Sequence, residues 1–259
     1  MKTRGETPEH FLLRLTHLQL QGQRLGPDLP RLDLVPGATT VYAYDNMISS
    51  LGGFEHLRKL QQLYLQSNRL TSLEGIEALV NLKTLHVGHN RLSRIEGLQG
   101  MRQLEELHVS FQMPQAGPQA LDFDEESMMT IAPTLQVFEA SNNSIEEVGP
   151  LVYMQRLRTL DLSNNLLHQV GPDLRNMLMS EALTRVQLHG NPLAANDRKH
   201  RSNVVLAAPA IEEIDGKAVL PAEREFVRRL AEQKRKVEEK SKVALMRQPA
   251  PPMPTEPFE

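Results

Sequence analysis

The sequence predicts an α/β solenoid, in which coils of one short strand and one return segment stack side by side. Two observations lead to this fold class. The segments LQQLYLQSNRL (60–70) and LKTLHVGHNRL (82–92) are alike and begin 22 residues apart. Leucine accounts for 40 of the 259 residues, whereas tryptophan is absent and eleven residues are aromatic. A core built from one residue type at a fixed period is typical of stacked repeats.

The unit LxxLxLxxNxLxxLxGIxxLxx is a leucine-rich repeat of the 22-residue intracellular type. Eight units fit the frame, and each has an amide side chain at the asparagine position: Gln23, Asn46, Asn68, Asn90, Gln112, Asn143, Asn165 and Asn191. The intervals between these amides are 22 or 23 residues, except for 31 before Asn143 and 26 before Asn191. We therefore expect about eight coils with one parallel, concave sheet, two of them lengthened by insertions.

The eight amides are expected to point into the solenoid and to bond backbone groups of their own and adjacent coils, because buried polar groups need partners. This role is structural and carries no chemistry. Glutamine has a longer side chain than asparagine, so the units of Gln23 and Gln112 are expected to be looser.

Composition divides the chain into four parts. Residues 1–14 are an N-terminal cap or a frayed segment, and residues 15–220 are the repeat domain, with an insertion at 111–131. That insertion is expected to leave the repeat as a loop, used either for recognition or as a spacer. The stretch IEEIDGKAV (211–219) is similar to the C-terminal cap of many intracellular repeats. Residues 221–247 are a charged helix, and the Pro-rich tail 248–259 is expected to be disordered.

The charged helix differs in charge from the repeats. Residues 222–247 have nine basic and five acidic residues, whereas residues 1–221 carry a net charge of -5. Two interpretations stay open. The helix is either a solvated single helix anchored by Phe226 and Leu230, or a helix that docks on an acidic partner such as a microtubule surface.

The third, fifth and seventh positions of LxxLxLxxN alternate with the buried leucines, so they face outward from the sheet. Three of the four tyrosines occupy such positions in two adjacent coils, and acidic residues follow a few coils later. Aromatic side chains are frequent at interface hot spots. The candidate protein-binding residues of this concave face are Tyr42, Tyr44, Tyr64, His86, Glu106, His108, Glu139, Asp161 and Arg185. The alternative is that they are ordinary solvated strand residues.

Several functions are not expected from this sequence. The chain has no cysteine, and its net charge of -3 does not suit a nucleic-acid-binding surface. It contains neither an apolar run long enough for a membrane span nor a catalytic motif such as a P-loop or HExxH, so no enzyme activity is predicted. His86 and His108 occupy stacked positions, but His89 points elsewhere and no carboxylate is locally spaced to join them. No metal or other cofactor is therefore expected.

A further set of segments resembles the leucine-rich-repeat regulators of protein phosphatase 1. These segments are VYAYDNMIS (41–49), LYLQSNRL (63–70), IEGLQGMRQLEELHV (95–109), LDFD (121–124) after the break at Gln112, GNP (190–192) and IDGK (214–217). The resemblance implies a non-catalytic cytoplasmic protein that binds the phosphatase catalytic subunit. It also implies that acidic and aromatic residues of the concave strands make the contact, here Tyr42, Tyr64, Glu106, Glu139 and Asp161.

Two functions follow as hypotheses. The first is a regulatory subunit of protein phosphatase 1 at cytoskeletal or ciliary structures. The second is a structural component of an axoneme, basal body or centrosome that binds tubulin or microtubule-associated proteins, with the basic helix as a tether. Both place the protein in the cytoplasm, at the cytoskeleton. RNA-complex scaffolding is disfavoured by the acidic repeats.

Overall fold

Strands recur once per repeat along the chain. The computed structural model describes residues 7–27, 29–115, 117 and 120–246, with side chains up to 241. The chain divides into a repeat unit that ends at Val219 and a helical unit that begins at Leu220. Among the described residues, no helix combines the length and the apolar character needed to cross a bilayer.

The repeat unit contains one sheet with a parallel strand from each of the eight repeats. These strands are β1 (His17–Gln19), β2 (Thr40–Tyr42), β3 (Gln62–Tyr64), β4 (Thr84–His86), β6 (Glu106–His108), β8 (Val137–Glu139), β9 (Thr159–Asp161) and β10 (Arg185–Gln187). They pair in chain order and in register. The central residue of each strand is buried, whereas its first and third residues face the other side. The predicted α/β solenoid is confirmed.

The amide ladder also forms, from Asn46 to Asn191. Asn90, for example, donates through Nδ2 to the carbonyls of Leu65 (3.0 Å) and Val87 (2.9 Å), and its Oδ1 accepts from the amide of Leu70 (3.0 Å). Each of these side chains therefore joins its own coil to the one before it.

The two glutamines behave differently from each other. Gln112 is buried and makes the bonds of an asparagine, donating to the carbonyls of Val87 (2.9 Å) and Val109 (3.1 Å) and accepting from the amide of Leu92 (3.0 Å). The expectation of a looser coil is wrong for this residue, since the longer side chain still reaches both carbonyls. The side chain of Gln23 is exposed and donates to the carbonyl of Gln19 in its own coil (3.3 Å), whereas the backbone amide of Gln23 donates to Oδ1 of Asn46 in the next coil (3.0 Å).

The return segments include three 3₁₀ helices, Leu32–Leu34, Phe54–His56 and Gly149–Tyr153, while the two lengthened units form the α-helices α2 (Glu125–Ile131) and α3 (Pro172–Leu178). The expectation of a loop over 111–131 is therefore wrong for its second half. A short strand β7 (Asp122–Phe123) pairs with β5 (Arg94–Ile95), and Asp124 then caps α2. Met128 and Ile131 of that helix are buried, which explains why the inserted residues fold onto the coil.

Helices flank the sheet at both ends. The helix α1 (Pro8–Leu13) precedes β1, with Thr7 as its N-cap. After β10 come α4 (Pro192–Asn196) and α5 (His200–Ala207), and then a hairpin of β11 (Glu213–Ile214) and β12 (Lys217–Ala218). Since β11 pairs in parallel with β10, the segment 211–219 closes the open edge of the sheet.

In the helical unit the described residues form α6 (Pro221–Met246), and the tail 248–259, predicted from the sequence to be disordered, lies outside the described residues. Arg229 and Glu225 form an ion pair of 2.7 Å along one face of this helix. Phe226, Leu230 and Val237 are more than half exposed and lie at helical spacing.

Candidate protein-binding face

Four rings stack across neighbouring strands on the outer face of the sheet. The ring centroids of Tyr42 and Tyr64 are 4.9 Å apart, those of Tyr64 and His86 are 4.8 Å apart, and those of His86 and His108 are 3.8 Å apart. The planes of neighbouring rings differ by 8° to 26°. We refer to Tyr42, Tyr64, His86 and His108 as the ring column.

The register of the sheet produces this column. Parallel strands lie about 4.8 Å apart, which is close to the stacking distance of flat rings. Each ring occupies the last residue of its strand, and the four residues are direct partners in the ladder. The sequence therefore needs only a ring at the same position of four successive repeats.

The column ends on acidic groups. His108 donates from Nδ1 to Oε2 of Glu139 over 2.7 Å, and Asp161 is the next partner of Glu139 in the ladder. Asp161 instead accepts from Ser163, through the amide (2.8 Å) and the hydroxyl (2.6 Å) of that residue. Glu106 lies beside the column, with its Oε2 3.8 Å from Nε2 of His108.

The charge states follow from these contacts. The hydrogen bond from His108 lowers the pKa of Glu139 against the opposing effect of burial, so this carboxylate is ionised. Burial, and then the neighbouring His108, lower the pKa of His86 to about 4. The ring of His86 is therefore neutral near pH 7. Burial also raises the pKa of Tyr64.

The structure brings most of the sequence-predicted residues together. Six successive strands of the sheet, β2, β3, β4, β6, β8 and β9, hold Tyr42, Tyr64, His86, Glu106, His108, Glu139 and Asp161. Tyr44 is half-buried just beyond the end of β2 and lies outside the ring column. Arg185 is exposed on β10, where it pairs with Thr159 and is separated from the column by two strands.

The structure corrects one part of the reasoning about His86 and His108. No carboxylate is locally spaced to His86 in the sequence, but the register places Glu106 beside both rings. Donor atoms of His86, Glu106 and His108 all lie within 4.8 Å of one another. The cause is that Glu106 and His108 are two residues apart on one strand, which puts both side chains on the same face.

A second stack was not predicted. The rings of His89 and Phe111 lie 4.5 Å apart and differ by 10° in orientation. Both residues directly precede a ladder amide and have a positive φ, 54° for His89 and 59° for Phe111. Because His89 and Phe111 occupy the same position in two neighbouring repeats, this stack could have been predicted from the sequence. The stack also shows that His89 points away from His86, as predicted.

Comparisons with known proteins agree with this architecture. A family model for leucine-rich repeats, in two copies, matches residues 133–176. Internalin C2 from Listeria monocytogenes is similar in structure, with a TM-score of 0.57, 18% identity, and coverage of 78% of this chain and 77% of internalin.

Two further structures are similar over about the same part of this chain. A leucine-rich-repeat protein from Leptospira interrogans has a TM-score of 0.58 and 21% identity, over 79% of this chain and 55% of that protein. The ectodomain of the Arabidopsis thaliana membrane receptor kinase GASSHO1/SCHENGEN3, solved in complex with CASPARIAN STRIP INTEGRITY FACTOR 2, has a TM-score of 0.56 and 18% identity, over 81% of this chain and 25% of the ectodomain. The in-register repeats and these matches establish that this chain has the leucine-rich-repeat fold.

Proposed function

We propose that this protein is a non-catalytic scaffold that binds another protein through the outer face of its sheet. The observation that carries the proposal is the ring column, whose four half-buried rings end on Glu139. A surface that only had to stay soluble would not need four stacked rings, whereas aromatic clusters are frequent at the centres of protein interfaces.

The chemistry of the face favours a partner with arginine side chains. A guanidinium group stacks on aromatic faces and also pairs with carboxylates. The face offers both, since Tyr42 and Tyr64 provide exposed ring area and Glu106 and Glu139 provide carboxylates 41–45% exposed. A basic and partly apolar surface segment therefore fits it.

The more specific proposal is a regulatory subunit of protein phosphatase 1 at cytoskeletal or ciliary structures. It is supported by the resemblance of the repeats to the phosphatase regulators and by the aromatic and acidic residues on the strands. The experiment is a pull-down of purified catalytic subunit by the full chain, by Tyr64→Ala, and by a Glu139→Ala/Asp161→Ala double variant.

Matched controls distinguish the face from the rest of the repeat unit. Tyr153→Ala removes the one tyrosine that lies in a return segment, and Glu147→Ala removes an exposed carboxylate there. Binding that is lost in the face variants and kept in the controls supports the proposal. Absent binding, or binding that all variants keep, contradicts the phosphatase partner.

The alternative is a structural component of an axoneme, basal body or centrosome that binds tubulin or microtubule-associated proteins. The supporting observation is α6, which has exposed apolar side chains at 226, 230 and 237 and an excess of basic residues. Deleting residues 222–259 should abolish sedimentation with microtubules at low salt, since exposed charges are screened at high salt. Sedimentation that is unchanged by the deletion contradicts this alternative.

A further inference from the structure

Three donor side chains meet at the acidic end of the ring column. His86 and His108 are direct partners in neighbouring strands, and Glu106 lies two residues before His108 on the same face. One donor atom from each lies within 4.8 Å of the other two. Two imidazoles and one carboxylate are a donor set of zinc sites with an open fourth position.

His108 is prepared for such a role by its contacts. Its Nδ1 donates to Glu139 over 2.7 Å, which leaves the lone pair of the neutral ring on Nε2. Nε2 is buried, and none of the residues that the structure describes forms a hydrogen bond with it. The nearest carboxylate oxygen is that of Glu106, at 3.8 Å.

The contact of Glu139 is the one that metal-binding histidines normally make. A histidine ligand almost always donates its second ring N–H to a carboxylate or carbonyl, which fixes the ring and strengthens the ligand. A buried imidazole nitrogen without a partner is otherwise costly, because desolvation removes its bond to water.

We propose that His86, Glu106 and His108 bind a divalent metal ion of the zinc type, with Glu139 orienting His108. The two carboxylates balance the charge of the ion. No metal site was expected from the sequence. Glu106, the third donor, is brought beside His86 by the register between β4 and β6 rather than by closeness in the sequence.

Binding requires a movement that can be observed. The rings of His86 and His108 are stacked within 8° of parallel, so their lone pairs do not converge on one point. Zinc–nitrogen bonds of about 2.1 Å at a tetrahedral angle place two donors about 3.4 Å apart. The two rings must therefore rotate out of their stack, while the strands that hold them stay paired.

The stack offers a direct readout of this movement, because Tyr64 packs on His86 with a centroid distance of 4.8 Å. The chain has no tryptophan, so tyrosine fluorescence is not masked. Zinc is expected to change this fluorescence in the wild-type chain but not in Tyr64→Phe, which keeps the ring and loses the phenol.

The test is a titration of the untagged full chain with Zn²⁺ in competition with a chromophoric chelator. We expect one equivalent to bind, with affinity lowered at least about 100-fold in His86→Ala and His108→Ala and about 10- to 100-fold in Glu139→Gln. His89→Ala is the matched control, since its ring stacks on Phe111 outside the site, and it should bind as the wild type does.

Two further measurements keep the test decisive. Circular dichroism checks that each variant is folded, and His86→Gln and His108→Gln replace any alanine variant that is not. The visible absorption of bound Co²⁺ reports the coordination number and geometry of the metal site. The proposal is overturned if the wild-type chain binds no zinc, or if binding persists unchanged in the His86 and His108 variants.

Discussion

Nδ1 of His108 and Oε2 of Glu139 lie 2.7 Å apart, although 31 residues separate them in the chain. Most neighbouring repeats are separated by 22 residues. The contact shows that β6 and β8 remain direct partners across the longest unit of the solenoid. The extra residues of that unit form β7 and α2, which lie in its return segment and leave the sheet unaffected.

The amide ladder is predicted to be a major source of stability. Asn90→Ala leaves the buried amide of Leu70 without its partner and removes one of the two side-chain amides that donate to the carbonyl of Leu65, the other being that of Asn68. We expect the free energy of unfolding to fall by about 1–3 kcal/mol, which is the cost of one buried unsatisfied group. Urea unfolding measures the change. Asn176→Ala, at an exposed position of α3, should alter it little.

Gln112 is predicted to matter as much as the asparagines. Because it makes the same bonds as Asn90, Gln112→Ala should cost a similar free energy of unfolding. Gln23→Ala, which removes an exposed amide, should cost far less. Equal effects of the two glutamine substitutions would show that the ladder bonds of Gln112 contribute little.

Gly100 is predicted to tolerate no side chain. A Cβ at this residue would collide with the backbone carbonyl of Glu77, whereas a Cβ at Gly26 would meet nothing within 4 Å. We expect Gly100→Ala to lower the free energy of unfolding by about 1–3 kcal/mol, the usual cost of overpacking. Gly26→Ala should be neutral or slightly stabilising. Thermal unfolding of both variants tests the difference.

Asp124 is predicted to make α2 sensitive to acid. Its Oδ2 accepts from the amide of Ser127 over 2.9 Å, and Arg94 lies 3.2 Å from its Oδ1. The bonds to Ser127, followed by Arg94, lower the pKa of this carboxyl. Its contribution is therefore complete above the unfolded pKa of about 3.9 and is lost as the pH falls through the folded pKa.

The corresponding experiment compares Asp124→Ala with the wild type in urea at several pH values. At pH 7 the loss of the cap should cost about 1 kcal/mol. The difference between the two proteins should shrink below about pH 4, as the wild-type carboxyl gains its proton. A difference that stays constant down to pH 2 would be inconsistent with this role.

His200 is predicted to contribute a pH dependence in a milder range. Burial lowers its pKa, and the nearby Asp215 and Asp197 oppose this effect only in part. The unfolded chain therefore binds a proton more readily, so stability is complete above about pH 6.5 and decreases below it. His200→Gln should flatten the decrease between pH 6.5 and 5, measured by urea unfolding, whereas His17→Gln, at an exposed residue, should not.

The sheet could be predicted from the sequence because two periods act together. Alternation along each strand buries Leu63 and exposes Tyr64, and the 22-residue repeat places Tyr64 beside its equivalents in the neighbouring coils. The ladder amides are readable for the same reason. The inserted unit was harder, because α2 spans seven residues and has no repeated apolar period that would identify a helix.

The chemistry of the face was only partly predictable. The stacked positions of His86 and His108 follow from the repeat, but the ring separation and the bond to Glu139 depend on side-chain torsions. The sequence placed Glu106 on the face but did not predict that it lies close to the two histidines. That prediction requires both the alternation of side chains along β6 and the register between β4 and β6.

The return segment that contains α2 has a consequence for how this molecule can change over evolutionary time. Residues inserted there lengthen the return segment of one coil, while the strands of the sheet keep their partners. Insertions and deletions in the return segments therefore leave the arrangement of rings and carboxylates on the sheet unchanged. The two sides of a single repeat can accordingly diverge at different speeds.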